Sequence, residues 1–165
     1  MNYSKMLKYD ASNWDGITAT IFFSGCTFHC PGCFNSELWD FHHGNVFDKK
    51  AENEFIKYAK SPHVTGVCLL GGEVFQQDLD RILDLVIRIN REVKKPIHVW
   101  SGYTIEELLA DEKSMVILHH IDTLVDGPFI FAKKDLTLKY RGSSNQRVID
   151  VRKTISTGVV TLIDC

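Results

Sequence analysis

No apolar run in this sequence approaches the ~18–20 residues that a membrane-spanning helix needs. An excess of one charge is missing too. Nineteen Lys and Arg against twenty-one Asp and Glu give a net charge of −2, so no basic field advertises nucleic acid or an anionic bilayer. The amino terminus, Met1-Asn2-Tyr3-Ser4-Lys5, leads into tyrosines and charges and lacks the apolar stretch of a secretory leader. There is no internal repeat, low-complexity tract or linker at which to divide the chain. These absences predict one domain, residues 1–165, in the cytoplasm, with no membrane or nucleic-acid partner. At 44% hydrophobic and 24% charged residues, the chain can bury a sizeable core.

Cysteine is what the sequence does have. Five is an odd number, and three of them, Cys26, Cys30 and Cys33, fall within eight residues as C-x3-C-x2-C. Bunched thiols in a reducing compartment point to metal or redox chemistry, not to a disulfide framework. One curl of backbone aims such thiols at a common centre, and Pro31-Gly32 is a turn dipeptide suited to making it. Cys68, in the apolar run Val67-Cys68-Leu69-Leu70, is expected simply to pack in a strand; Cys165, at the terminus, receives no role.

Four strand candidates share a local device. Ile17 to Phe23, Thr65 to Leu70, Ile97 to Trp100 and Asp122 to Val125 run respectively into Ser24-Gly25, Gly71-Gly72, Ser101-Gly102 and Asp126-Gly127. Helices are predicted between them over Asp48 to Lys60, Asp78 to Lys95 and Thr104 to Leu109. The second is closed by Pro96, and the third opens on a Thr104–Glu107 capping box. This alternation is the grammar of an α/β fold with a mostly parallel sheet. A closed eight-unit barrel needs roughly 200–250 residues, so the expectation is an open, partial (β/α) barrel with fewer than eight units. Its four glycine turns should gather on one rim, where ligands bind in such folds. In the tail, Lys133 to Tyr140, Arg147 to Val151 and Gly158 to Ile163 read as strands.

The three thiols admit three readings. Zinc could take Cys26, His29, Cys30 and Cys33, although structural zinc sites usually draw ligand pairs from separated segments. A dithiol oxidoreductase could use Cys30-Pro31-Gly32-Cys33, which leaves Cys26 unexplained. A four-iron cluster usually takes four cysteines; three would leave one iron open to a small ligand, as catalytic metal sites are.

The motif Cys26-x3-Cys30-x2-Cys33 at the end of a first strand resembles the radical S-adenosylmethionine (SAM) signature. More closely, the chain resembles the activating proteins of anaerobic (class III) ribonucleoside-triphosphate reductases. The matching stretches are Ser24-Gly25-Cys26 through Asn35, Trp39, Leu70-Gly71-Gly72-Glu73, Val99-Trp100-Ser101-Gly102-Tyr103, Leu124 through Phe129, and Arg141-Gly142-Ser143-Ser144-Asn145-Gln146. Two positions depart from the wider superfamily: Gly32 stands where an aromatic is common before the third cysteine, and Val74 where proline often follows the Gly-Gly-Glu turn.

The resemblance implies a radical SAM-type partial barrel and a [4Fe-4S] cluster on Cys26, Cys30 and Cys33. It implies reductive cleavage of SAM to a 5′-deoxyadenosyl radical, which abstracts hydrogen from a glycine of the reductase catalytic subunit. An external low-potential electron donor follows from that chemistry. The SAM contacts it implies are Gly32, Cys33, Phe34, Gly71, Gly72, Glu73, Ser101 and Gly102. Glu73 would pair with the methionine ammonium, or would be only a solvated turn carboxylate; Phe34 would meet adenine. Trp100 and Tyr103 would line the pocket or pack, Asp126 and Arg141 would contact SAM or brace the last strands, and Phe28 would pack. His29, His42, His43 and the Arg141–Gln146 loop are left without a role. The alternatives are the activase of another glycyl-radical enzyme and a non-catalytic zinc-binding interaction module.

Overall fold

Four parallel strands form the centre of the molecule, where the β-branched runs place them. The computed structural model describes all residues, Met1–Cys165. In chain order the strands are β1 (Asn2–Asp10), β2 (Thr18–Ser24), β3 (Asn45–Val46), β4 (Gly66–Gly71), β5 (Ile97–Trp100), β6 (Thr123–Asp126) and β7 (Arg147–Asp150). The helices are α1 (Lys49–Ala59), α2 (Leu79–Arg88), α3 (Ile105–Ala110), α4 (Glu112–Leu118) and α5 (Val151–Thr157). This is a mixed α/β fold on one sheet, ordered β3-β1-β2-β4-β5-β6-β7. The pairs β2–β4, β4–β5 and β5–β6 are parallel, while β1 and β3 on one edge and β7 on the other run antiparallel.

Alternation along the central strands gives the sheet two unlike faces. Ile21 and Phe23, Val67 and Leu69, Ile97 and Val99, and Leu124 share a buried core with Phe55, Ile56 and Ala59 of α1 and Ile82, Leu85 and Val86 of α2. The opposite set, Phe22, Cys68 and Leu70, forms a small cluster with Leu38, Trp14 and Trp100. Trp14, from the loop after β1, stacks on His98 (4.1 Å) and Tyr140 (3.9 Å) over this second face. The helical layer belongs to the first face, and the second is left for the cavity described below.

The predicted helices form where their caps place them. Asp48 accepts from Ala51 N to open α1, and Thr104 and Glu107 make the reciprocal capping box of α3. The helix expected through Lys95 keeps its α form only to Arg88. A π turn over Ile89–Val93 and a left-handed Lys94 (φ 58°) then end it before Pro96. Two tail expectations fail. Lys133 to Tyr140 is not a strand but a run of turns with one isolated bridge, Lys134 to Ser143, because β7 takes the free edge of β6. Gly158 to Ile163 likewise contributes only a bridge from Leu162 to Ile149. Four elements were not foreseen: β1, β3, α4 and α5. In β1 the alternation is broken by irregularities at Tyr3/Lys5 and Leu7/Asp10. The β-branched residues of α5 are held helical by Asp150, which caps Lys153 N, and by burial of Val151 and Thr154.

Candidate active site

The glycine turns meet at the carboxyl ends of the parallel strands, as predicted. Gly72 N donates to Phe23 O (2.8 Å), Glu73 N to Gly25 O (2.8 Å), Ser101 N to Val125 O (2.9 Å) and Gly127 N to Tyr103 O (3.0 Å). A β-carbon on Gly72 would stand 2.5 Å from Gly25 O, so the absence of a side chain there lets the two turns touch.

Cys26, Cys30 and Cys33, all half-buried and unpaired, hang over this rim. Their loop curls as the sequence predicts: Cys33 N donates to Cys30 O (3.0 Å) across Pro31-Gly32, with Gly32 at φ +75°. Gly25 N and Cys26 N donate to Leu38 O (2.7 Å) and Trp39 O (3.2 Å), anchoring the start of the loop to the turn that follows it. All three thiols line one cavity of about 460 Å³, within the usual range for small-ligand sites. Phe34, Gly71, Gly72, Glu73, Ser101 and Gly102 line it too, as do Phe28, Trp39, Trp100, Phe129 and Arg141. Of the expected SAM contacts only Gly32 is outside the lining; it lies beneath the ring of Phe131. No three His, Cys, Asp or Glu side chains converge on a point where one ion would sit.

Glu73 is no solvated carboxylate. It is 1% exposed, and one oxygen accepts from Ser101 Oγ (2.8 Å) and Phe75 N (3.1 Å), the other from Gly102 N (2.7 Å). No cation of the chain pairs with it, and burial, opposed by these three hydrogen bonds, pushes its pKa up to about 7. A buried carboxylate facing a cavity without a countercharge is a ready partner for an ammonium group.

Two residues that sequence reasoning missed hold the cysteine loop. Gln76 accepts from Thr27 N (2.8 Å) and donates to Thr27 Oγ1 (2.9 Å) and Tyr103 OH (3.2 Å). Gln77 Nε2 donates to the carbonyls of Ser24 (3.1 Å), Gly25 (3.3 Å) and Glu73 (3.0 Å). Val74, in the place of proline, is buried, and these glutamines tie down the turn it begins. Nothing in an isolated Gln-Gln pair signals this.

The remaining candidates divide. Asp126 braces: buried, it accepts from Arg147 Nε (3.0 Å) and Nη2 (2.6 Å) and from Ile105 N (2.8 Å). Arg141 instead reaches the cavity wall. Trp100 does both, lining the cavity while its Nε1 donates to Tyr140 O (2.8 Å). Phe28 packs edge-on against Tyr103 (4.8 Å) yet also reaches the cavity. Exposed His29 stacks on Trp39 (4.4 Å), while His42 and His43 sit in the loop after Trp39. Cys68 is fully buried, its thiol pushed up to about 12 by desolvation, in keeping with packing.

The Arg141–Gln146 loop gains a physical account. Gln146 accepts from Gly142 N (2.8 Å) and Ser143 N (3.2 Å) and donates to Gly127 O (3.0 Å), while Asn145 donates to Pro128 O (2.8 Å). The loop thus buttons down the last glycine turn. It presses Phe129 against Phe34 (centroids 5.1 Å apart), with Gly142 against both rings.

A half-buried three-cysteine loop stands over a cavity at the strand ends of an α/β fold. A family described as a 4Fe-4S single cluster domain matches residues 12–149. The chain is 40% identical over 156 residues to the anaerobic ribonucleoside-triphosphate reductase-activating protein of Escherichia coli K12, covering 92% of this chain and 100% of that one. The Pasteurella multocida protein of the same name is 39% identical over 150 residues (88% of this chain, 95% of that one). That of Enterobacteria phage T4 is 30% identical over 152 residues (90% and 93%). The chain belongs to the family of anaerobic ribonucleoside-triphosphate reductase-activating proteins. No helix is long and apolar enough to cross a membrane.

Proposed function

We propose that this protein is a radical SAM activase: it holds a [4Fe-4S] cluster on Cys26, Cys30 and Cys33 and acts on the catalytic subunit of anaerobic ribonucleoside-triphosphate reductase. The carrying observation is the meeting of three thiols and one uncompensated buried carboxylate on the same cavity. When bound, the cluster and SAM would supply one-electron chemistry: with an electron from an external low-potential donor, SAM would be cleaved to methionine and a 5′-deoxyadenosyl radical able to take hydrogen from a reductase glycine.

The chain's own residues bind, orient and exclude water. Glu73 receives the methionine ammonium, and Gly71 and Gly72 keep the rim low enough for the ligand to approach the backbone. Ser101 and Gly102, fixed by their hydrogen bonds to Glu73, shape the wall beside it. Phe34, held by Phe129, offers a face to adenine. The parallel core β2-β4-β5-β6, with helices on one face and the cavity on the other, is read as the open, partial barrel of the radical SAM type.

The test is anaerobic reconstitution with iron and sulfide, followed by reduction in the presence of SAM. Methionine and 5′-deoxyadenosine should form, and a glycyl-radical doublet should arise in paramagnetic resonance only when the reductase is added. Stoichiometric zinc without SAM cleavage would overturn the proposal.

A further inference from the structure

The chain that follows the last glycine turn runs open along the lip of the cavity. Leu136 is 74% exposed and Phe131 61%, and Phe34, from the cysteine loop, joins them at 54%. This apolar patch is continuous with the site: Phe34 and Leu136 line the cavity, and the Phe131 ring covers Gly32. Contiguous exposed apolar side chains of this kind mark interaction surfaces.

The same segment carries a local excess of positive charge. Between Phe131 and Arg141 stand four cations, Lys133, Lys134, Lys139 and Arg141, against one acid, Asp135, on a chain whose net charge is −2. None of the four cations is in an ion pair. The single acid is occupied locally, accepting from Thr137 N (2.9 Å) and Oγ1 (2.6 Å). Lys134 Nζ stands over the rings of both Phe34 (5.4 Å) and Phe131 (6.0 Å), so charge and apolar surface form one patch.

We propose that this lip is the docking surface for the reductase segment that carries the attacked glycine, and that the segment presents acidic side chains beside apolar ones. The proposal rests on the activase reading, because only a macromolecular target requires a recognition surface outside the cavity. Unpaired cations on an otherwise negative protein attract an acidic partner and orient its approach. A small anion would meet the cations but would leave Phe131 and Leu136 uncovered, whereas a polypeptide covers both.

The experiment uses the reconstituted holoprotein and a K133E/K139E double variant, whose positions are exposed and outside the cavity lining. SAM cleavage driven by a chemical reductant without the reductase should be unchanged. Affinity for the reductase should fall roughly ten-fold or more, with slower association, and the wild type should lose affinity as salt rises while the variant loses less. Leu136→Ser should weaken binding without changing the salt dependence. Wild-type affinity and radical yield in the double variant would overturn the proposal. So would a loss of self-association in that variant with reductase binding intact, since the patch would then cover a second copy of this chain. A wild-type protein that fails to cleave SAM would instead refute the activase reading, which keeps the two failures distinct.

Discussion

Glu73 and His98 should pull the stability of the cluster-free protein in opposite directions across one pH window, so that removing either exposes the other. Glu73 has a folded pKa of about 7 against an ordinary 4.5, because burial disfavours its charge. The folded state therefore keeps the proton longer than the unfolded chain, and stability falls as pH rises from 4.5 through about 7. Between pH 5 and 7 that loss comes to roughly 2 kcal/mol. His98 is 6% exposed, stacked under Trp14, with Nδ1 unpartnered, and desolvation lowers its pKa from 6.5 to about 4. Here the unfolded chain takes the proton first, so stability is lost as pH falls through the same window, again by roughly 2 kcal/mol between pH 7 and 5. Asp10, Glu52 and Asp111 are held low by hydrogen bonds or cations, so their losses come at lower pH. His120, lowered by desolvation, adds in the direction of His98 in every variant. Urea unfolding at pH 5, 6 and 7 should therefore find the wild type nearly flat. Glu73→Gln should gain about 2 kcal/mol of stability from pH 5 to 7, and His98→Phe should lose about as much. The overall level of Glu73→Gln will drop, because its amide sets a donor against Gly102 N, but the slope is a separate observable. Parallel pH profiles for all three proteins would refute the opposed titrations of Glu73 and His98.

In the loaded protein, Glu73→Ala should weaken SAM binding about ten-fold or more, the worth of a charge-assisted bond, as measured by equilibrium binding. Gly72→Ala should drive a methyl into the Gly25 carbonyl and cost about 1–3 kcal/mol by overpacking, lowering the melting temperature and the iron retained. Gln146→Ala frees the Gly142 and Ser143 amides and the Gly127 carbonyl. It should cost about 1–3 kcal/mol in unfolding experiments and raise the SAM dissociation constant by loosening Phe129 from Phe34.

What was legible in the sequence was the part written in local chemistry. The runs ending at Gly25, Gly72, Gly102 and Gly127 are strands with a turn at each end, and Thr104 with Glu107 caps a helix. The C-x3-C-x2-C loop turns at Pro31-Gly32 and faces the cavity. Long-range pairing was the illegible part. Lys133–Tyr140 has strand-like residues but pairs only through one isolated bridge, since Arg147–Asp150 closes the edge of the sheet. Val151–Thr157 has β-branched residues but follows a capping Asp150 and becomes a helix. Glu73 was legible as part of a glycine turn; its burial was not, because Ser101 and Gly102 reach it from the turn after β5. Gln76 and Gln77 were invisible for the same reason: the residues of the cysteine loop that they hold, Ser24, Gly25 and Thr27, lie about fifty positions away in the chain.

The proposed activase rests on Cys26, Cys30 and Cys33 leaving one iron of a cluster open for SAM beside Glu73. Paramagnetic resonance of the reduced, reconstituted protein with and without SAM tests it most directly. The spectrum should change on addition of SAM, should be lost in Cys26→Ser, Cys30→Ser and Cys33→Ser, and should persist in Cys68→Ser and Cys165→Ser. A cluster signal that SAM leaves untouched, or one that depends on Cys68 or Cys165, would contradict it.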